Sequence, residues 1–282
     1  MDPYRAIAQG NVMEPEPTEV KRRRGIYLLP NLFTTAGLFA GFYAIVAAIG
    51  GRYAAAAVAV YVAMILDSLD GRVARLTNTQ TAFGVEYDSL SDMVSFGLAP
   101  ALVMYEWSLS SLATHGWLWA KLGWLAAFIY TAGAALRLAR FNTQVGTLDK
   151  RYFQGLPSPA AAAVVVGLVW VGDEIGLRGS DLILPAFILT VGTGMLMVSN
   201  IRYYSFKEVD FVRRVPFVAI LLVVMAFVLA SIDPPKVLFF SVLVYAASGP
   251  LHTLYQLRRH RAQRRAGGGT GGGSGRESGP RD

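Results

Sequence analysis

The sequence contains no cysteine among its 282 residues. A disulfide framework, a thiolate metal site and a cysteine nucleophile are therefore excluded. Charged residues are also scarce, at 16% of the chain, whereas hydrophobic residues make up 54% and the mean hydropathy is +0.41. A chain this apolar cannot build a water-soluble surface from its remaining residues, so the composition predicts a membrane protein.

The hydrophobic residues fall into runs of about 17 to 25 residues, the length at which a helix crosses a bilayer. We predict an all-α, polytopic transmembrane helix bundle of about eight spans, with about seven as the alternative because one run is interrupted by Lys121 and another is short. The first run follows the basic segment 21–24 and is interpreted as a retained helix, not a cleaved signal peptide. The predicted spans are 28–49, 53–75, 92–109, 117–139, 158–172, 182–199, 216–232 and 237–256.

Polar segments flank this transmembrane domain, which we place at residues 28–256. Residues 1–27 are polar and contain prolines, and residues 257–282 are basic and glycine-rich, so we predict that both ends are disordered. With an even number of spans, most Lys and Arg residues share the side of the two termini, which the positive-inside rule assigns to the cytoplasm. The basic residues outside that pattern are Arg52, Lys121, Arg178 and Lys236.

The formal net charge of +7 raises the question of a nucleic-acid partner. The basic residues lie beside apolar runs, however, which fits anionic lipid headgroups and membrane orientation better. We therefore expect membrane lipids as partners, no nucleic acid, and a multi-pass protein of a bacterial or archaeal-type inner (plasma) membrane.

Aspartates cluster between the second and third predicted spans, at Asp67, Asp70, Asp88 and Asp92. On a helix, residues three apart lie about 60° from each other, and residues four apart stack on one face. Carboxylates at membrane depth repel one another unless cations lie among them. Oxygen ligands with no Cys or His nearby indicate a pair of hard divalent ions, Mg²⁺ or Mn²⁺.

Two small residues and an arginine, Gly71, Ala74 and Arg75, follow the first two acids, and on a helix Gly71 and Ala74 fall between or beside them. The small residues would let a bulky polar group approach the backbone, and Arg75 would pair with a phosphate, so a phosphate or pyrophosphate substrate is indicated. An isolated pair of aspartates is more often a helix cap or a solvated helix end. A proton relay of a cation-coupled transporter is the strongest non-enzymatic alternative, but it leaves the small residues unexplained.

The complete spacing, D-x2-D-G-x2-A-R-x8-G-x3-D-x3-D from Asp67 to Asp92, resembles the signature of the CDP-alcohol phosphatidyltransferase family at every fixed position. The resemblance implies a bundle with a six-helix catalytic core, a polar cavity facing the cytoplasm, two divalent cations and a homodimer. It also implies that Asp67, Asp70 and Asp88 bind one metal ion. Asp92, with help from the same carboxylates, would bind the second ion and act as the general base.

The same resemblance implies a surface for the CDP group. It consists of Gly71, Ala74, Arg75 and Gly84, and it extends to the first span, whose Pro-Asn-x-x-Thr opening is similar to the family's first helix. There Asn31 and Thr34 would face the nucleotide. The alternative is that the proline simply starts a helix and Asn31 lies in its polar first turn.

Residues 92–100, 137–142 and 153–161 further resemble the serine-accepting members of the family, the phosphatidylserine synthases. The expected reaction transfers the phosphatidyl group of CDP-diacylglycerol to the hydroxyl of L-serine and releases CMP by metal-assisted direct displacement. The alternatives are a phosphorylated polyol acceptor, glycerol 3-phosphate or inositol phosphate, and, from another class, the transporter. Internal repeats with broken helices would favour the transporter, but no repeat relates residues 28–139 to residues 158–256.

A serine carboxylate requires a cationic partner, and Arg137 and Arg140 lie one helical turn apart at the cytoplasmic end of the fourth span. Plain positive-inside flanking is the alternative explanation for both. Tyr130, Lys150 and Arg151 are weaker candidates. The histidines, His115, His252 and His260, are predicted to have no role.

Overall fold

The computed structural model describes residues 28–77, 79, 81–143, 152–204 and 231–267, together with isolated positions at 221, 224–225 and 228–229. Almost all of the described chain is helical. The helices are α1 (Leu28–Ile49), α2 (Tyr53–Leu76), α3 (Ala82–Asp92), α4 (Ala99–Trp107), α5 (Trp117–Thr143), α6 (Ser158–Glu174), α7 (Ile183–Val198) and α8 (Pro234–Gly267). A π-helical turn, Met93–Leu98, joins α3 to α4, and 3₁₀ segments at Leu109–His115 and Gly179–Leu182 precede α5 and α7.

The all-α prediction holds for the described residues apart from one small sheet, which the sequence analysis did not predict. Strands β1 (Tyr152–Gln154) and β2 (Arg202–Tyr204) pair antiparallel, with Phe153 opposite Tyr203. The sheet joins the chain before α6 to the chain after α7. It therefore holds two loops together at one end of the bundle.

Membrane character is supported by length, composition and exposure. Among the described residues, the stretches long and apolar enough to cross a membrane are Asn31–Ile49, Tyr53–Leu76, Trp117–Thr143 and Gly179–Val198. Large apolar side chains point outward on these helices; Phe39, Trp117 and Leu184 are each 69% exposed. Such surfaces are rare on water-soluble proteins and are expected where lipid covers the helix.

The eight spans and the six-helix core stay predictions. The predicted spans at 158–172 and 237–256 are helical, as α6 and as part of α8. The span at 216–232 lies largely outside the described residues. The homodimer implied by the resemblance also stays a prediction.

Two predicted boundaries differ from the structure. The third helical stretch begins at Ala82 and not at residue 92, because the Thr81 hydroxyl caps it by accepting a hydrogen bond from the Gly84 N–H at 3.0 Å. At the other end, α8 continues to Gly267, beyond the predicted end of the last span at residue 256. The added segment is rich in Arg, which favours helix, and it ends at a glycine. The predicted division into a transmembrane domain and two disordered ends stays a prediction. Residues 1–27 and 268–282 lie outside the described residues.

The contact between α1 and α2 is the most extensive in the bundle, and small residues make it close. Alanines are buried on both helices, including Ala44 and Ala47 on α1 and Ala56 and Ala57 on α2. Small side chains let helix backbones approach within a membrane, where dispersion contacts replace the hydrophobic effect as the force between helices. The close approach brings the start of α1 beside the acidic end of α2.

Hydroxyl groups and a glycine seat α3 and the π turn against α1. Ser91 Oγ donates to the Thr34 carbonyl and Ser95 Oγ donates to the Gly37 carbonyl, each at 3.2 Å. A Cβ on Gly41 would lie 2.5 Å from Ser95 Oγ, so only glycine fits there. These contacts fix the rotation of α3, and with it the direction of its aspartates.

A second close approach joins α5 to α7 at Gly133 and Gly194. A Cβ on Gly194 would lie 2.9 Å from the Cα of Tyr130. Tyr130 is fully buried, and its hydroxyl donates to the Phe96 carbonyl in the π turn at 2.9 Å. The glycine contact therefore supports the turn that follows Asp92.

We expect Gly194→Ala to destabilise the protein by about 1 to 3 kcal/mol, because the new methyl group overlaps the α5 backbone. The matched control is Gly192→Ala on the same helix, where a Cβ would meet nothing within 4 Å. The control should leave stability unchanged or raise it by up to about 1 kcal/mol, since alanine favours helix. Thermal unfolding in detergent, followed by tryptophan fluorescence, compares the two, and equal melting temperatures would contradict the packing argument.

Candidate active site

Three aspartates from two helices meet at one end of the bundle. Asp67 and Asp70 lie on the last turns of α2, and Asp88 lies on α3. One carboxylate oxygen from each lies within 4.8 Å of the others; Asp70 is buried, and Asp67 and Asp88 are half-buried. The predicted grouping of these three residues is therefore what the structure has.

The fourth aspartate, Asp92, lies one turn further along α3 and is half-buried. Its carboxyl group is in hydrogen-bonding contact with that of Asp67, and the charges of Asp70 and Asp88 also act on it. Asp92 thus adjoins the triad on the side of α2. This position suits a carboxylate that would bind a metal ion at one side of the triad.

Thr34 on α1 holds the buried member of the cluster. Its hydroxyl donates to Asp70 Oδ2 at 2.7 Å. This bond supplies one of the hydrogen bonds that a buried carboxylate requires. The hydroxyl is engaged with the aspartate here, and the nucleotide contact implied for Thr34 stays a prediction.

Together these side chains line a small polar pocket between α1, α2, α3 and the π turn. A π turn inserts an extra residue into a helix and is often found at functional sites. Here it starts directly after Asp92 and directs Ser95 and Phe96 toward the pocket. The lining residues are Thr34, Gly37, Ala63, Asp67, Asp70, Asp88, Ser91, Asp92, Ser95 and Phe96.

The residues expected to accept the CDP group lie beside this pocket. Asn31 and Gly84 are neighbours, since a Cβ on Gly84 would lie 3.5 Å from the Asn31 Oδ1. The Arg75 guanidinium folds back over Gly71, where a Cβ would lie 3.5 Å from its Nη1. Ala74 is half-buried on the same helix end. Backbone without side-chain bulk and an exposed arginine therefore lie together, as a phosphate site requires.

The two arginines considered for the acceptor differ in their surroundings. Arg137 Nη1 donates to Ser158 Oγ on α6 at 2.7 Å, and its charge interacts with Asp92. Its Nε is buried and has no hydrogen-bond partner among the described residues. Arg140 Nη1 instead donates to Asn200 Oδ1 at 3.2 Å, in an exposed bond. Of the two arginines, Arg137 is therefore the one whose charge is seen to act on the acidic pocket.

Of the weaker candidates, the structure describes Tyr130 alone. Tyr130 holds the π turn, and Lys150 and Arg151 lie outside the described residues. His115 is exposed beside Thr114, and His252 is also exposed; that neither has a role stays a prediction. The side chain of His260 lies outside the described residues.

Several residues near the site were given no role in the sequence analysis. Asn142 Nδ2 donates to Ser89 Oγ at 3.0 Å, which ties the end of α5 to the helix turn that holds Asp88. Ser91 and Ser95 were also not singled out. Ser91 and Ser95 are four residues apart, as Asp88 and Asp92 are, and this spacing could have indicated a second polar face on the same helix. Serine is, however, common in membrane helices for packing alone.

The triad suits a divalent cation. Mg²⁺ binds oxygen ligands at about 2.1 Å, so oxygens on one ion lie at most about 4.2 Å apart, and a cluster within 4.8 Å needs only a small contraction. All the donors are hard carboxylate oxygens. A bound divalent ion would supply positive charge for a phosphate or pyrophosphate group next to Gly71 and Arg75.

The profile of the CDP-alcohol phosphatidyltransferase family matches residues 27–199, a stretch that holds the triad, Asp92 and both arginines. The chain belongs to this family. The resemblance drawn from the spacing of the aspartates is thereby confirmed, and so is the assignment as a phosphatidyltransferase enzyme. Enzymes of the family depend on metal ions, in agreement with the acidic triad.

Relatives of this phosphatidyltransferase carry the name CDP-diacylglycerol–serine O-phosphatidyltransferase. The protein from Helicobacter pylori is 38% identical over 205 residues, covering 72% of this chain and 83% of its own. The Mycobacterium leprae protein is 32% identical over 250 residues, covering 85% and 80%. The Methanocaldococcus jannaschii protein is 37% identical over 190 residues, covering 67% and 80%.

Replacing Asp67, Asp70 or Asp88 by asparagine should abolish transfer without unfolding the protein. Removing one like charge relieves repulsion in the metal-free site, so the melting temperature without added metal should hold or rise. The gain in stability on adding Mg²⁺ or Mn²⁺, about 2.7 kcal/mol at a hundred times the dissociation constant, should be lost. Thermal unfolding with and without metal measures both effects.

The matched control for the aspartate series is Asp181→Asn, an exposed residue far along the chain, which should keep the full metal response. Asp92→Asn should keep part of the response and lose turnover, as expected of a general base. An Asp70→Asn protein that is stabilised by metal as strongly as the parent would contradict the ligand assignment.

Proposed function

We propose that this enzyme transfers the phosphatidyl group of CDP-diacylglycerol to the hydroxyl of L-serine, giving phosphatidylserine and CMP. The family signature and the printed names of the relatives support the donor and the acceptor. The observation that carries the proposal is the buried Nε of Arg137, which has no hydrogen-bond partner among the described residues and belongs to a guanidinium whose charge interacts with Asp92. In this proposal an acceptor with both a hydroxyl and a carboxylate would place its carboxylate at Arg137 and its hydroxyl at Asp92.

The proposed reaction is a direct displacement at phosphorus. The serine hydroxyl oxygen bonds to the phosphorus that carries diacylglycerol, and the bond from that phosphorus to the oxygen of CMP breaks. CMP leaves with the electron pair, and the hydroxyl proton passes to Asp92. The serines of the pocket lining, Ser91 and Ser95, donate their hydroxyls to carbonyl groups of α1, and the lining contains no histidine among the described residues, so a covalent enzyme intermediate is not invoked.

Two divalent cations, Mg²⁺ or Mn²⁺, would stabilise the charge of the pyrophosphate and of the leaving CMP. In this proposal Asp67, Asp70 and Asp88 hold one ion, and Asp92 with the same carboxylates holds the other. Thr34 orients Asp70 through its 2.7 Å hydrogen bond. Asn31, Gly71, Ala74, Arg75 and Gly84 would form the surface that accepts the CDP group.

Arg137 is the better of the two arginines for the acceptor carboxylate. It faces Asp92, where the acceptor hydroxyl must lie, and Ser158 fixes one edge of its guanidinium. Arg140 is half-buried and instead donates to Asn200, which follows α7, in an exposed bond. A planar guanidinium binds a carboxylate with two parallel hydrogen bonds, which a lysine cannot reproduce.

We expect CMP release by the purified enzyme to depend on L-serine. Arg137→Gln should raise the KM for serine about ten- to a hundredfold, since a charge-assisted contact contributes about 1.5 to 3 kcal/mol. The KM for CDP-diacylglycerol should change little, and Arg137→Lys should recover only part of the loss. Arg140→Gln, one turn away, is the matched control and should be nearly neutral.

Other acceptors in the same assay separate the alternatives. CMP release driven by glycerol 3-phosphate or inositol phosphate but not by L-serine would overturn the serine assignment and leave the family assignment intact. Absence of CMP release with every alcohol would contradict the proposed displacement reaction.

We also propose a multi-pass topology with both termini and the active site on the cytoplasmic side. Since the chain has no cysteine, single cysteines can be labelled cleanly. Lys150→Cys should react with a membrane-impermeant maleimide only after cells are opened, whereas Arg178→Cys should react in intact cells. Labelling of Lys150→Cys from outside intact cells would contradict the topology.

A further inference from the structure

The helix α8 lies beyond residues 27–199, the stretch matched to the family, yet it contacts the acceptor side of the site. It packs against α6 and β2. Its residue Tyr245 is partly buried against the core, and its phenol interacts electrostatically with the Arg137 guanidinium. An element outside the shared domain thus adjoins the arginine that we assign to the acceptor.

Tyr203 on β2 fixes the position of α8. Its side chain is buried, and its hydroxyl donates to the Ala246 carbonyl at 3.0 Å. Its ring packs on that of Tyr245 with centroids 5.6 Å apart and planes inclined by 48°. A Cβ on Gly249 would lie 2.5 Å from the Tyr203 ring, so the helix can approach the strand only because a glycine is present.

Arg137 is held from two sides, and one of its donors is left without a partner. Ser158 accepts a hydrogen bond from Nη1, and Tyr245 lies within electrostatic range, but the buried Nε has no hydrogen-bond partner among the described residues. A buried donor without a partner is unfavourable, so such groups in a binding site are expected to meet a ligand. An anionic group of the acceptor would satisfy it.

We propose that Tyr245 is a positioning residue of the acceptor site. It orients the Arg137 guanidinium so that the edge of the guanidinium that carries Nε receives the acceptor carboxylate beside Asp92. The assignment rests on the proposed function for the identity of the acceptor. Tyr245 acts through Arg137, and Tyr203 in turn holds Tyr245 in place. Acceptor binding therefore depends on α8, whereas the residues for the CDP group lie on α1, α2 and α3.

The test is the kinetics of Tyr245→Phe, which keeps the ring and removes the hydroxyl. The KM for L-serine should rise about two- to tenfold, because a guanidinium that is oriented less well binds the acceptor carboxylate less tightly, while the KM for CDP-diacylglycerol and kcat stay within about twofold. The matched control is Tyr255→Phe on the same helix, whose side chain is 66% exposed. It should leave all three constants unchanged.

A double variant distinguishes positioning from general support of the fold. If Tyr245 acts through Arg137, Tyr245→Phe should have little further effect on the serine KM in an Arg137→Gln background, because coupled residues are not additive. Independent, additive effects would overturn the proposal, as would an unchanged serine KM or an equal rise in both KM values. Should Tyr245→Phe fold poorly, Tyr203→Phe removes the bond to Ala246 and should give the same acceptor-selective change.

The proposed function and this inference fail in different ways. If the parent enzyme uses another acceptor than serine, the proposed function is wrong, and the same variants are measured with that acceptor. A selective rise in its KM would then support the role of Tyr245. If the parent uses serine and Tyr245→Phe behaves like Tyr255→Phe, the inference is wrong and the proposed function stands.

Discussion

Mutual repulsion among the aspartates is the constraint on which the rest of the site depends. Asp67, Asp70 and Asp88 bring carboxylate oxygens within 4.8 Å of one another, and Asp92 adjoins them. Like charges this close, in surroundings less polar than water, are unfavourable unless cations or hydrogen-bond donors lie among them. Thr34 supplies one donor to the most buried member. A bound cation would supply further compensation, and the fold holds the acids close enough together to bind one.

Close helix packing is the means by which the fold holds them. Burial of alanines between α1 and α2 lets the two backbones approach, and Gly41 lets the π turn approach α1. Ser91 and Ser95 then donate hydrogen bonds to carbonyl groups of α1. Such hydrogen bonds are directional, whereas packing of small residues is not, so the two together fix both distance and rotation. Tyr130 secures the far side of the turn through its bond to Phe96.

The parts of the site that could be predicted are those set by helical periodicity within one segment. Asp67 and Asp70 share a face because they are three residues apart, and Gly71 and Arg75 meet because they are four apart. Arg137 and Arg140 share a face for the same reason, and for that reason the sequence could not separate them. Tertiary contacts with Ser158 and with Asn200 do so. The small sheet and the approach of α8 to α5 also depend on residues distant in sequence, beyond the reach of local periodicity.

The division of the site between helices bears on how one family can serve different acceptors. Every residue assigned to the donor or to the metal ions lies on α1, α2 or α3, and one spacing pattern describes those on α2 and α3. The groups around Arg137 come instead from α5, α6 and α8: the arginine itself, Ser158 and Tyr245. Substitutions at these three positions would alter the acceptor side without removing the serine contacts to α1 that hold α3 and the π turn. The donor chemistry and the acceptor pocket can therefore change separately, although Asp92 must serve both.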